Sequence, residues 1–200
     1  MVVGLDADLG GQGMTDSGFR TASRPPDFDA QIRQAFAIIN RGRAAIGKPA
    51  FEWIDVHAAS AQELTDWQWN AYLTGSADVD TMPHFDYVGR LERHGLVVQG
   101  MWGRGVSEYD YGGSSDGMGD DGKEYPPTPT GWRHPFRTAA NHAAHMVDVV
   151  ATGTFAKRNP GEGHVADFRG DWTHIGVGWA GGFFVVDYGY LPLPQRVDVR

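Results

Sequence analysis

The chain has 200 residues, enough to bury about 70% of its unfolded surface around one core without covalent staples. Its 17 Lys and Arg against 25 Asp and Glu give a formal charge of −8, which argues against a nucleic-acid backbone or an anionic membrane as main partner, since both need clustered positive charge. The absence of cysteine excludes disulfides, thiolate metal ligands and thiol nucleophiles, and no apolar run approaches the roughly 18 residues of a membrane span.

Residues 1–26 combine Gly4, Gly10, Gly11, Gly13 and Gly18 with Pro25 and Pro26 and show no periodicity, so they read as an extended arm. The opening "MVVGLDADLGGQG" has no basic stretch leading into an apolar one and does not read as a secretory signal. A domain is expected over 27–190. Its first helix is predicted over 28–46, where Phe28, Ile32, Ala35, Phe36, Ile39 and Ile46 recur at helical spacing; Asp27 is placed to cap it, and Gly47 and Pro49 to stop it. A second helix should follow Asp55 through Ala58, Ala61, Leu64, Trp67 and Ala71 to Gly75. Trp53, Trp67, Trp69 and Tyr72 make this stretch aromatic, which fits core packing or a ligand cage. A third helix is predicted from Pro83 to His94, with Gly95 as its exit.

"LVVQGMWG" then reads as a strand. Residues 112–131 form a Gly-, Asp- and Pro-rich loop too long for a simple connection; its acids Asp116, Asp120, Asp121 and Glu124 lack the alternation of a calcium loop, leaving a solvated insertion or a contact loop. A fourth helix follows Pro135, with Ala139, Ala143, Met146, Val147 and Val150 on its apolar side. "HIGVGWA" and "FFVVDYGY" are predicted to pair as a hairpin through Gly181 and Gly182. Ile175, Val177 and Trp179 share one face of the first strand; Gly176 and Gly178 leave the other open to a close neighbour or a ligand. The prolines of residues 191–200 predict an extended tail, and there is no internal repeat.

The block from Gly161 to Gly189, "GEGHVADFRGDWTHIGVGWAGGFFVVDYG", resembles the end of the CAP superfamily domain, the SCP-like group of cysteine-rich secretory proteins, antigen 5 and pathogenesis-related proteins. The family's Gly-His pair is met by Gly163-His164, and its aromatic-Thr-x-hydrophobic-Gly-hydrophobic-Gly strand by Trp172 to Gly178. Asn40 and Arg43 match the Asn-x-x-Arg of the first helix in bacterial members, and "HFDYVGRLERHGL" is similar to their His-containing segment. The resemblance implies an α+β fold, an α-β-α sandwich with a small, mainly antiparallel sheet. The chain departs from the family in having no cysteine, in Val106-Ser107-Glu108 where Gly-Glu-Asn is usual, and in Asp167 where Asn follows the second His.

By the same resemblance the counterparts of a cleft of two histidines and two acids are His84, Glu108 and His164, with Asp148 as the fourth. Imidazole nitrogens and carboxylate oxygens of that kind hold zinc, or another divalent cation more weakly; the alternative is a hydrogen-bonded polar set that fixes the surrounding loops. His142, His145 and Asp148 are spaced along one helix, but positions 142 and 148 lie about 240° apart at the helical turn angle, so they cannot converge on one ion. His142 and His145 are expected at the solvent face or the core edge, and His174 in a structural role. No Gly-x-Ser-x-Gly elbow and no phosphate-binding Lys-Ser/Thr loop occurs.

An extracellular type of domain joined to a Gly-rich arm, without signal or cysteine, points to a non-enzymatic surface-binding or structural module. It would be carried in a larger particle such as a bacteriophage virion, with residues 1–26 and 112–131 contacting other protein chains and a cell-surface ligand as a further partner. A metal-dependent hydrolase acting on a cell-envelope component, a lipid-binding module and a cytoplasmic location are the alternatives.

Overall fold

Apolar side chains at helical spacing wind Phe28–Ala45 into α1, burying Ile32, Ala35 and Ile39 on one face. Gly47, at φ +71°, ends it in the left-handed conformation that other residues avoid. Asp27 precedes the helix as expected but does not cap it. Its carboxylate accepts from the Gln31 amide at 3.0 Å, because a backbone at φ −99°, ψ 13° does not aim the side chain at the first turn as an extended residue would.

The computed structural model describes residues 24–74, 86–96, 106–111 and 138–189. The arm through residue 23, Pro83 and His84, the loop 112–131, the tail 191–200 and, apart from Leu96, the strand expected over 96–103 lie outside the described residues. Within them, β1 (Glu52–Trp53) leads into α2 (Asp55–Thr74), the second predicted helix almost to the residue. α3 (Tyr87–Arg93) and β2 (Val106–Tyr111) follow. α4 (Ala139–Val147) is capped by the Thr138 hydroxyl, which accepts from the Asn141 N–H at 3.1 Å. It runs on as a π-helical turn, Asp148–Thr152. Two short helices, α5 (Thr154–Arg158) and α6 (Gly163–Arg169), precede the hairpin of β3 (His174–Ala180) and β4 (Phe183–Gly189).

The sheet order is β1-β3-β4-β2, with β1 parallel to β3 and the other pairs antiparallel. Ile175, Val177 and Trp179 join Phe184, Val186 and Tyr188 on one face, against α1, α4, the π-helical turn, α5 and α6. The other face is covered by α2, with α3 packed on it. The fold is thus an α+β sandwich, helices flanking a small mixed sheet. Gly176 and Gly178 serve a close neighbour, and the neighbour is α2: an ideal Cβ on Gly176 would lie 2.5 Å from the Ala58 Cα, and one on Gly178 the same distance from the Gln62 nitrogen.

The Asn40 and Arg43 pair acts as a strap. The Asn40 amide donates to the Phe51 carbonyl at 3.1 Å and accepts from the Phe51 N–H at 2.8 Å, fixing β1 to α1. Arg43, 1% exposed, donates to the carbonyls of Pro49, Phe168 and Gly170, and its guanidinium lies 4.1 Å above the Phe51 ring. One side chain therefore satisfies carbonyls from two connections that are otherwise tied at the surface by the Lys48–Asp171 ion pair at 3.1 Å. Arg43→Met keeps the stem but abandons those carbonyls; it should cost about 3 kcal/mol in urea unfolding, and a loss below about 1 kcal/mol would show the strap to be dispensable.

Candidate functional site

The four cleft positions fall differently. His84 lies outside the described residues. Glu108 sits in β2 at the register position opposite Asp187 of β4, which in turn is opposite Gly176 of β3; its side chain lies outside the described residues. His164 is half-buried near the start of α6. Asp148 opens the π-helical turn as an exposed residue, its carboxylate lying where a side chain on Gly153 would stand. α6 packs against β2 and against the π-helical turn, so the backbone segments carrying Glu108, His164 and Asp148 are neighbours. Among the described residues no three His, Asp or Glu side chains are grouped to hold a metal ion. A zinc site would therefore depend on His84 and Glu108.

The expectation for His142 is corrected. It is 1% exposed, and its ring is stacked on Phe184 at 5.6 Å with the planes 1° apart. Positions 139, 142, 143 and 146 share one face of α4, all of them buried, and a flat imidazole fits against the β4 aromatic. His174 is buried at the start of β3, its Nδ1 2.7 Å from the Thr173 hydroxyl. The tryptophans pack within the domain: Trp53 meets Phe36 edge-on at 5.4 Å, Trp69 meets Phe183 at 6.5 Å, and Trp67 covers Leu64 and Val185.

The strongest polar constellation is one that the sequence reading did not single out. His57 and Ser60 of α2, Arg90 of α3 and Asp187 of β4 are all essentially unexposed. Arg90 Nη1 donates to the Ser60 carbonyl at 2.9 Å, to Ser60 Oγ at 2.6 Å and to Asp187 Oδ2 at 3.1 Å. Neither ring nitrogen of His57 nor Oδ1 of Asp187 has a hydrogen-bond partner among the described residues. Burial pushes His57 below the ordinary imidazole range; the Asp187 charge opposes that shift and His174 adds to it. Burial, and then the same carboxylate, push the Tyr87 phenol well up. Ser, His and Asp are the residue types of a hydrolase triad, but Ser60 accepts from Arg90 and makes no bond to His57, so the nucleophile–base contact is missing. The sequence signal was Asp187 itself, a lone acid within an apolar strand, which demands a buried counter-ion.

The chain matches no protein-family model and no curated protein. Among solved structures it is similar to an extracellular protein containing an SCP domain from Bacillus anthracis strain Ames, at 14% sequence identity and a TM-score of 0.48, over 82% of this chain and 43% of that one. The chain thus spans less than half the length of that protein.

Proposed function

We propose that the chain is a CAP-like binding module that works as a structural or surface-attachment component of a larger particle, such as a bacteriophage virion, anchored by residues 1–26 with the 112–131 loop as a second contact. The observation that supports the module most is the unbroken run from Gly163 to Gly189: α6, β3 and β4 follow one another, and the Gly-x-Gly of β3 is seated under α2. The arm joins the domain at one end of the hairpin. The Arg24 guanidinium lies 4.6 Å above Phe28, and Phe28 stacks on Trp179 at 5.9 Å.

The test is deletion of residues 1–23. The shortened chain should keep the thermal midpoint of the full chain while losing its cross-links to neighbouring proteins in the assembled source material. Unchanged cross-linking, or an arm and loop both open to solvent in the intact assembly, would overturn the anchoring role.

A second reading, a metal-dependent hydrolase on a cell-envelope component, is favoured by the packing of α6 against the segments that carry Glu108 and Asp148. Elemental analysis separates the two. The binding module should purify without stoichiometric zinc, whereas one zinc per chain that disappears in both His84→Ala and His164→Ala would replace it with the hydrolase.

A further inference from the structure

Among the described residues the apolar attachment of α3 to the body of the domain is the packing of Leu91 and Leu96 with Tyr87 and with Val56 of α2. Its polar attachment to the described residues comes in two layers. In the outer layer Glu63 of α2 accepts from Arg93 at 3.0 and 2.6 Å and meets His94 Nε2 at 2.6 Å, while Arg93 also reaches Asp86 at 2.7 Å. In the inner layer Arg90 binds Ser60 and Asp187, with the ion pair at 3.1 Å wholly inside the protein. Among the described residues that centre holds one guanidinium and one carboxylate, a pair that balances while His57 is neutral. His57 lies over Gly176, whose cross-strand neighbour is Asp187, so a proton on its ring would stand close to a carboxylate that already has its cation.

We propose that α3 is an acid-released latch: protonation of His57 leaves the buried centre one positive charge in excess, and Arg90 relieves it by leaving for solvent with α3 while His57 replaces it beside Asp187. The free oxygen of that exchange is Oδ1 of Asp187, which has no hydrogen-bond partner among the described residues. The direction of the pH effect follows from the depressed pKa of His57. The folded form disfavours the proton, so its stability is complete above the ordinary imidazole pKa of about 6.5 and declines as pH falls below it.

Among the described residues the charged and titratable groups that act on His57 are Asp187 of β4 and His174 of β3; Arg90 and Tyr87 of α3 meet the same carboxylate, and Glu108 occupies the register position opposite it on β2. The outer layer is not the trigger. Burial acts to raise the Glu63 carboxyl, but its bonds from His94 and Arg93 prevail and hold it below the ordinary value.

Amide hydrogen exchange of the full-length chain at pH 7 and pH 5, each rate divided by that of the unfolded chain at the same pH, tests the latch. Exchange over residues 87–96 should rise about tenfold or more on acidification, with β3 and β4 unchanged, and His57→Leu should abolish the rise. His57→Gln, equally unable to take a proton, serves the same purpose if leucine prevents folding. Equal protection of α3 at both pH values, parallel loss from α3 and the hairpin, or a rise that persists without His57 would each overturn the proposal.

Discussion

Alanine at Gly176 should destabilise the domain by at least about 3 kcal/mol, lowering the thermal midpoint by roughly 6–12 °C in a chain of this size. The added methyl would meet backbone, the Ala58 nitrogen and the His57 carbonyl carbon, and backbone cannot turn aside as a side chain can. α2 would have to lift from the sheet along the stretch where Ala61, Leu64 and Val185 form their cluster. Gly178→Ala should behave alike, since its Cβ would strike the Ala61 carbonyl. Gly161→Ala is the control: nothing lies within 4 Å of its Cβ position, and it should change stability by no more than about 0.5 kcal/mol. Equal effects at positions 176 and 161, measured by thermal unfolding, would mean that α2 does not sit on the sheet as closely as described.

Those glycines mark the part of the fold that was legible in the sequence. Apolar spacing located α1 and α2, and strand alternation with Gly181-Gly182 located the hairpin, because in each case the signal is local and repeats along the segment. β2 escaped because its six residues carry acids at 108 and 110, as a strand at the edge of the described sheet tolerates. α5 and α6, of five and seven residues, are too short for a periodicity to emerge. His142 shows where polarity misleads. Its helical position was computable and lay among the buried alanines, but a histidine reads as a solvent-facing or core-edge residue unless the ring opposite is known. The same limit hid the buried polar centre, whose members at 57, 60, 90 and 187 are adjacent only through the packing of α2, α3 and β4. Of the cleft set, resemblance placed Glu108, His164 and Asp148 on segments that meet at α6, namely β2, α6 itself and the π-helical turn, with Asp148 exposed at the start of that turn.

Removal of Arg90 should be more damaging than removal of the whole ion pair. Arg90→Met leaves the Asp187 carboxylate at 0% exposure with neither its cation nor water, a loss of about 3–5 kcal/mol. Arg90→Met combined with Asp187→Leu removes both charges and fills the space with apolar atoms, so the double variant should be more stable than either single one, with a coupling of about 2 kcal/mol or more. pH then distinguishes a specific charge defect from a packing defect. In Arg90→Met the titratable base that acts on Asp187 among the described residues is His57, so the folded variant should gain a proton that the wild type disfavours. The folded pKa of His57 is thereby raised, and the stability that this proton contributes is present at low pH and lost as pH rises through that value. The penalty of Arg90→Met should therefore shrink between pH 7 and pH 5, over the interval in which the wild type weakens. In His57→Leu/Arg90→Met the penalty should no longer vary with pH. Urea unfolding at the two pH values reads both effects; a penalty for Arg90→Met that is the same at each would mean that His57 and Asp187 do not share a proton and that the centre is held by packing alone.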